Sequence, residues 1–370
     1  MVKSEFLYKQ LYDSLAERIR SGQYPAGGLL PSEAALRKEF QVSSITVKKA
    51  FGLLAEEGFI RRVPGRGTFV RDGIPGGRPG PAGGAARRIG AVLEHVSTPF
   101  GLEMMYRMDR AAEKAGYKLC VRFSYGNQKK EKEEIAFLIA QGVSGLIVMP
   151  SHGSHYNTEI LKLVVEKFPV VLVDKRLDGI PVPSVRTDNG SAAAQLVRAL
   201  AEEGCRRISP VTYEESGATS LEERQRGFSD QLAQLGLPEA PKCAIPALDA
   251  ADMVDNAPTE DIVEFLKNFL LRTKGGLDGV VCMEYGVVPP FLLAARAAKV
   301  TVGAGAGELK LCCFDEDYLA PEGFRFTHVK QDETRIAEKA VSLLIAQIRG
   351  EKSPAEDYRI PAVFRRGPTA

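Results

Sequence analysis

Basic and hydroxyl side chains cluster near the N-terminal end of the 370-residue chain, and their types suit contacts with nucleic acid. Lys48 and Lys49 can donate to phosphate oxygens or to guanine in a DNA major groove. Arg66 stands between two glycines, where the backbone can approach a ligand closely, and a narrow minor groove attracts an inserted arginine. Short hydroxyls at a helix N-terminus would add contacts to phosphates or base edges: Ser43, Ser44 and Thr46.

A second set of polar side chains follows apolar segments farther along the chain. Sugar hydroxyls need planar, bidentate partners such as Asp, Asn and Arg, and the apolar face of a sugar needs a wall. Open α/β sheets bind ligands at the carboxyl ends of their strands. We therefore expect a small-molecule site with Phe100 as its wall and these further residues: Ser151, Lys175, Arg176, Asp188, Asn189, Arg224, Glu284, Tyr285, Asp315 and Gln331. Surface ion pairs and helix caps are the alternative roles, and an N-cap is the specific alternative for Asp188.

Three helices and a hairpin are predicted before the second set begins. The first helix, over about 5–21, follows from apolar residues that recur every four positions: Leu7, Leu11, Leu15 and Ile19. Ser32 is a plausible N-cap for a second helix, and Ser43 or Ser44 opens a third. Two short apolar segments around 64–67 predict a tight hairpin.

The third helix is predicted to have two distinct faces. Its apolar face would pack inward: Val47, Ala50, Phe51 and Leu54. The opposite face would be exposed: Ile45, Lys48, Lys49 and Gly52. Three helices followed by a hairpin predict a winged helix-turn-helix domain over residues 1–72.

A linker and a larger α/β region are predicted to follow. Nine of the fourteen residues in 73–86 are Gly or Pro, a composition that cannot build a core, so residues 73–87 are predicted to be a linker. From 88 to 370, strand and helix patterns alternate, which predicts parallel sheets covered on both faces. This region is too long for one typical sheet, so we expect two lobes.

Bulk features exclude several classes of protein. The chain lacks a run of eighteen apolar residues and an apolar leader, so we expect a cytoplasmic protein without a membrane span. The six scattered cysteines form no C-x-x-C pair, and those in strand-like runs are expected to be buried, so neither a metal site nor disulfides are predicted. G-x-G-x-x-G after the first strand, G-x-S-x-G and a P-loop are all absent, so we expect neither an enzyme nor a cofactor.

The N-terminal region resembles the GntR family of bacterial regulators. The resemblance rests on QLYDSLAERIRSGQYPAGGLLPSE, VSSITVKKAFGLLAEEGFI and RRVPGRGTFV, within about residues 4–71. It implies a homodimer that binds a pseudo-palindromic site in double-stranded operator DNA. The contact residues it implies are Ser32, Glu33, Ser43, Ser44, Ile45, Thr46, Lys48, Lys49, Arg66 and Gly67. Ala34 and Ser44 stand where the family commonly has arginine, which leaves the operator sequence open.

The second region resembles the LacI/GalR regulators and the periplasmic sugar-binding proteins. The matching motifs, in order, are STPF, GLIVMPS, PVVLVDKRLDGIPVPSVRTDNGSAAAQLVRAL, ERQRGF, FDED and HVKQD, within about residues 88–366. They imply a two-lobed sensor in which Arg224 and Asp315 clamp sugar hydroxyls. Glu284 and Tyr285 depart from the Asn-Asp that is usual in the family.

Together, the two resemblances imply a repressor that a small sugar, such as a pentose, releases from its operator. An activator, or a regulator with a non-sugar effector, is the alternative. A solute-binding protein of a transporter is a remote alternative, because it would share the sensor fold but would need a signal peptide and no DNA-binding domain.

Overall fold

The computed structural model describes residues 2–20, 22–63, 67–71, 87–151, 156–214, 219–246, 260–316, 326–351 and 354–367. They belong to two compact units, Met1–Arg87 and Arg88–Ala370. Arg66 and residues 73–86 of the predicted linker lie outside the described residues. Within the described part of the chain, no helix is long and apolar enough to cross a membrane.

The first unit has the predicted order of three helices and a hairpin. Its elements are α1 (Val2–Arg20), α2 (Glu33–Phe40), α3 (Ser44–Glu56), β1 (Ile60–Val63) and β2 (Gly67–Val70). The two strands are antiparallel, with Ile60 opposite Val70 and Val63 opposite Gly67. Ser32 and Ser43 are the N-caps of α2 and α3, because each side chain accepts a hydrogen bond from a backbone N–H three residues on.

A single core holds this unit together. The predicted inward face of α3 is fully buried, and it packs with α1 and the hairpin: Leu11, Leu15, Ile19, Leu36, Val47, Ala50, Phe51, Leu54, Phe59, Ile60 and Val70. Leu7 departs from the predicted apolar face, since its side chain is 43% exposed. The winged helix-turn-helix prediction is confirmed.

Strands and helices alternate through the second unit. Its first half contains β3 (Arg87–Leu93), α4 (Leu102–Lys114), β4 (Tyr117–Phe123), α5 (Gln128–Ala140), β5 (Leu146–Val148), α6 (Thr158–Val165), β6 (Val170–Val173) and β7 (Ser184–Thr187). Its second half contains α7 (Asn189–Glu202), β8 (Ile208–Tyr213), α8 (Thr219–Gln234), β9 (Cys243–Ile245), α9 (Glu260–Arg272), β10 (Gly279–Cys282), α10 (Val288–Ala297), β11 (Lys310–Phe314) and β12 (Thr327–Lys330). The chain then forms α11 (Glu333–Ile348), β13 (Asp357–Ile360) and β14 (Val363–Arg365).

The strands form two six-stranded sheets with equivalent orders, β13-β7-β6-β5-β3-β4 and β14-β12-β11-β10-β8-β9. The central strands of both sheets run parallel, whereas β14 runs antiparallel to β12. Each sheet has its own buried cores, which defines a first lobe and a second lobe. The predictions of parallel sheets and two lobes are confirmed. Cys282, Cys312 and Cys313 are buried in strands of the second lobe, as expected.

The chain passes between the lobes at three places: between β7 and α7, between β12 and α11, and between β13 and β14. Helix α11 follows a strand of the second lobe, yet its apolar face packs on the sheet of the first lobe through Ile336, Ala340 and Leu344. Strands β13 and β14 then complete one sheet each. The sequence patterns did not predict this interleaving, because strand partners are set by contacts between distant residues.

Candidate functional site

The exposed face of α3 presents the predicted basic surface in the first unit. Ile45 is 69% exposed, and Lys48 and Lys49 are exposed beside it. The Lys49 Nζ lies 5.5 Å from the ring centroid of Tyr8, which anchors the lysine stem against α1. Exposed lysines on one helix face, backed by a packed core, are suited to phosphate and base contacts.

The hydroxyl groups near this face have structural roles. Ser32 Oγ accepts from the Ala35 N–H at 3.2 Å, and Ser43 Oγ accepts from the Thr46 N–H at 3.2 Å. Thr46, a predicted DNA contact, is only 6% exposed, and its hydroxyl lies 2.8 Å from that of Ser43. Ser44 stays half-buried at the first turn of α3.

The hairpin lies against α2 through an ion pair. Arg62 donates to the Glu33 carboxylate at 3.0 Å, so Glu33 holds the hairpin in place. Gly67 begins β2 with φ +117°, a conformation that favours glycine. Arg37 and Lys38 in the last turn of α2 are also exposed. Sequence reasoning missed these two basic residues, since no spacing distinguished them from an ordinary solvated surface.

Lys175 follows β6 in the second unit and is only 6% exposed. Its ammonium donates to the carboxylate of Glu94, which follows β3, and to the carbonyl of Pro150 at 3.1 Å. Glu94 is likewise 6% exposed. The prediction named Lys175 and missed Glu94, although the position of Glu94 directly after an apolar strand was the available signal.

Ser151 lies beside this ion pair and is fixed from behind. Its N–H donates to the Glu131 carboxylate at 2.5 Å, and its hydroxyl donates to Ser124 at 3.0 Å. Asn157 donates to the other oxygen of Glu131 at 2.7 Å. Burial raises the pKa of Glu131, partly offset by these hydrogen bonds. Ser151 is thus a rigidly held, half-buried polar group.

Arg224, on α8, is held in place by two hydrogen bonds and an aromatic ring. Its Nε donates to Asn189 Oδ1 at 2.8 Å, and its Nη1 donates to the Met283 carbonyl at 2.6 Å. The guanidinium carbon lies 4.0 Å from the ring centroid of Phe314, a stacking distance. Within the described part of the chain, Nη2 makes no hydrogen bond, so it remains for a ligand.

Asp315 and Gln331 form a chain of hydrogen bonds where two lobe-crossing segments meet. The Gln331 N–H and side-chain amide donate to the two Asp315 oxygens at 3.1 and 2.8 Å. Thr187, at the end of β7, donates to the Gln331 side-chain oxygen at 2.7 Å. Burial raises the pKa of Asp315, and the positive charge of Arg224 opposes this effect. Because Arg224 stacks on Phe314, which directly precedes Asp315, the predicted clamps Arg224 and Asp315 lie near each other.

Asp188 has a capping role in the structure. It is the N-cap of α7, and its two oxygens accept from the N–H and hydroxyl of Ser191 at 3.4 and 2.7 Å. The neighbouring Asn189 is fully buried, and its side-chain amide contacts both Arg224 and the Thr187 carbonyl. The capping alternative weighed for Asp188 is thus the role its side chain has in this structure.

Arg176 directly follows Lys175 and lies beside several acids. Its Nε lies 3.0 Å from Asp178, and its guanidinium lies 4.0 Å from both Glu223 and Asp357. Asp357 starts β13, which leads into the third crossing. The structure therefore groups Arg176 with acids near the crossings.

Glu284 and Tyr285 follow β10 and open a short 3-10 turn, Tyr285–Val287. Burial raises the pKa of Glu284. The charges of Glu94 and Asp174 raise it further, whereas Arg224 and Lys175 lower it. Three of these four residues belong to the first lobe. The hydrogen bond between Thr187, at the end of β7, and Gln331, directly after β12, brings the carboxyl ends of the two sheets together at one cleft. Half-buried Tyr285 packs against the core of the second lobe.

Phe100 is half-buried against the core of the first lobe, and its position is set by its neighbours. The Phe100 carbonyl accepts from the Ser97 N–H at 2.8 Å. The next N–H, that of Gly101, donates to the Glu333 carboxylate at 2.7 Å, and that of Met104 donates to it at 3.0 Å. Glu333, at the start of α11, thus caps α4 and was not predicted.

Asp174 is another cleft residue that the sequence prediction missed. It follows β6 with φ 65°, and Asp315 follows the equivalent strand β11 with φ 63°. In each case the aspartate N–H donates to the neighbouring strand, to the Val185 or the Val329 carbonyl. The two lobes therefore place an aspartate at the same point of the same topology.

Comparison with known proteins identifies families for both units. Residues 7–70 match the bacterial regulatory proteins of the gntR family. Residues 86–257 match the periplasmic binding proteins and sugar binding domain of the LacI family, and residues 197–369 match the periplasmic binding protein-like domain.

Relatives and solved structures agree with this division. The chain is similar to the arabinose metabolism transcriptional repressor of Geobacillus stearothermophilus, 28% identical over 92% of this chain and 91% of the relative. It is 30% identical to the HTH-type transcriptional regulator PtxS of Pseudomonas plecoglossicida, over 76% of this chain and 78% of the relative. A periplasmic binding protein/LacI transcriptional regulator from Alkaliphilus metalliredigens, complexed with D-xylulofuranose, has a TM-score of 0.60 at 21% identity, covering 77% of this chain and 99% of that one. The chain therefore belongs to the transcriptional regulators that join a gntR-family winged helix-turn-helix to a LacI-type, periplasmic-binding-protein-like sensor.

Proposed function

We propose that the chain is a repressor that leaves its operator DNA when a small sugar, such as a pentose, binds between the two lobes of the sensor. The observation that carries the proposal is the arrangement of Arg224. Two of its nitrogens are held by Asn189 and the Met283 carbonyl, and the third remains for a ligand beside Asp315. The names of the arabinose-metabolism relative and of the D-xylulofuranose complex support a pentose.

On the DNA side, we propose that the chain acts as a homodimer with one α3 in each half-site. The exposed Lys48 and Lys49, together with the predicted wing residue Arg66, would supply phosphate and base contacts. We propose the domain limits 1–72 and 88–370, joined by the linker 73–87. The three family matches support these limits, because one ends at residue 70 and the other two together cover residues 86–369.

The coupling between the two sites follows from binding thermodynamics. A sugar that contacts Arg224 in the second lobe and Lys175 or Phe100 in the first binds best in one lobe arrangement. By linkage, it disfavours any DNA-competent dimer geometry that needs another arrangement. Couplings of this kind are about 1–3 kcal/mol, which corresponds to about 5–150-fold in operator affinity.

Operator release by sugar tests the proposal directly. DNA selected from random oligonucleotides by the wild-type protein would be titrated with L-arabinose, D-xylulose and D-ribose in a gel-shift assay. We expect one sugar to release the wild type, and Arg224→Lys to bind DNA normally but to resist release, because a lysine cannot hold two partners and stack on Phe314. Arg226→Lys, exposed on the same helix, is the matched control and should respond like wild type. The proposal fails if no sugar releases the wild type.

A further inference from the structure

We propose that the effector is a sugar without phosphate or carboxylate groups, either uncharged or amine-bearing, and that Asp174 and Glu284 impose this selectivity. The proposal rests on the function proposed above, and it specifies the charge of the ligand that the cleft accepts. It starts from the balance of charged groups where the two sheets face each other.

Acids outnumber bases among the described residues of the cleft. Its carboxylates are those of Glu94, Asp174, Glu284 and Asp315, and its cations are Lys175 and Arg224. Arg176 does not restore the balance, because it pairs with Asp178 and lies near two further acids.

Both cations are already engaged by the protein. Lys175 donates to Glu94 and to the Pro150 carbonyl, so its charge is neutralised within the first lobe. Within the described ranges, only Nη2 of Arg224 remains available to donate to a ligand, and it can bind one sugar hydroxyl. A phosphate group carries about −1.5 to −2 charges at neutral pH and needs several such donors, which these two cations do not offer.

Asp174 is a cleft acid whose carboxylate is not engaged by another described side chain. It is 8% exposed, and no side chain in the described ranges hydrogen-bonds to its carboxylate. Its charge acts on Glu284 across the cleft, in the same direction as that of Glu94. Its carboxylate oxygens therefore remain available to accept hydrogen bonds from a bound hydroxyl or ammonium group.

Repulsion between like charges would exclude anionic ligands from the cleft. An anionic substituent near Asp174 or Glu284 would meet carboxylates in a poorly solvated cleft, and such repulsion is a common basis of specificity. A neutral sugar instead donates hydroxyl hydrogens to these acids, and an amino group adds a favourable charge interaction. Glu284 places a carboxylate where the family resemblance implies an amide, and Tyr285 replaces the acid that would follow it, so the carboxylate moves to position 284.

Calorimetric titration of the full-length protein with matched sugars tests this inference. The probes are L-arabinose, D-ribose, D-glucose and D-glucosamine. Each of the three neutral sugars is compared with its terminal phosphate ester and with the sugar acid of the same carbon skeleton. We expect the binding sugar to lose at least about 100-fold in affinity when it carries a phosphate or a carboxylate. Asp174→Asn and Glu284→Gln should each reduce the ratio of neutral-sugar affinity to anionic-sugar affinity by about tenfold. Asparagine tolerates the left-handed backbone of position 174.

The outcomes separate this inference from the proposed function. Tighter binding of a phosphorylated or acidic sugar than of its parent would overturn the charge selectivity, while sugar control of DNA binding would stand. An unchanged ratio in both variants would overturn the roles of Asp174 and Glu284. Asp230→Asn, an exposed aspartate on α8, is the control and should keep the wild-type ratio. If no probe of either charge class binds, the proposed function itself fails.

Discussion

The guanidinium of Arg186 and the carboxylate of Asp357 form a two-point contact, with Nε 2.6 Å from Oδ1 and Nη2 2.5 Å from Oδ2. Arg186 is 1% exposed on β7, just before the first crossing, and Asp357 begins β13, just before the third. The remaining guanidinium nitrogen of Arg186, Nη1, donates to the carboxylate of Glu223 in the second lobe. One buried arginine therefore joins the first and third crossing segments to each other and to helix α8 of the second lobe.

Removing this arginine should destabilise the sensor strongly. In Arg186→Gln the half-buried carboxylates of Asp357 and Glu223 lose their buried partner, and breaking a buried ion pair from one side costs up to about 3–5 kcal/mol. Urea denaturation of the full-length protein measures the change in unfolding free energy. Arg359→Gln removes another partner of Asp357, 3.2 Å away but exposed, and should cost no more than about 1 kcal/mol. Equal effects of the two variants would contradict the central role of Arg186.

Glu333 should make the stability of the sensor depend on pH. Burial raises its pKa from 4.5 to about 7, so the folded state binds more protons than the unfolded state between these values. The stabilising contribution of protonated Glu333 is fully present below about pH 4.5 and is lost as the pH rises through about 7. Glu333→Gln removes this titration. The free energy of unfolding of the variant should therefore rise, relative to that of wild type, by up to about 3 kcal/mol between pH 5 and pH 8.

The urea midpoints of wild type and Glu333→Gln at the two pH values measure that gain. Glu338→Gln, on the exposed side of the same helix, should show no comparable gain. A difference between wild type and Glu333→Gln that is independent of pH would refute the elevated pKa.

Lys48 and Lys49 should contribute to the salt dependence of DNA binding. Each phosphate contact that is lost should reduce the slope of log affinity against log salt by about 1. Fluorescence anisotropy with the selected operator at several salt concentrations would give the slopes for Lys48→Ala and Lys49→Ala. Lys118→Ala, exposed in the sensor, should leave the slope at its wild-type value. Wild-type slopes in both α3 variants would remove this helix face from the proposed interface.

Ser43 should stabilise α3 through its capping bond to the Thr46 N–H. Loss of an N-cap costs about 0.5–2 kcal/mol, so Ser43→Ala should speed amide hydrogen exchange along residues 44–56 of the full-length protein. Ser44→Ala changes a hydroxyl of the same first turn that is not the cap, and it should leave exchange nearly unchanged. Equal protection in the two variants would argue against the cap.

Features that depend on local order could be predicted from the amino-acid sequence. The two faces of α3 follow from helical periodicity, and the structure buries Val47 and exposes Lys48 as predicted. The alternation of strands and helices follows from short apolar runs, and it was sufficient to predict parallel sheets in two lobes. Arg224 and Asp315 were identified from family motifs, and the structure brings them together.

The tertiary structure alone decided which polar groups meet. Glu94 and Lys175 are separated by 81 residues, and Arg186 and Asp357 by 171, so no local pattern could pair them. The same holds for Arg176, which contacts acids near the crossings, and for the return of α11 to the first lobe. Side-chain partners depend on which strand ends become neighbours, and that is fixed by long-range strand pairing and core packing, whereas periodicity reports only which face of an element is buried.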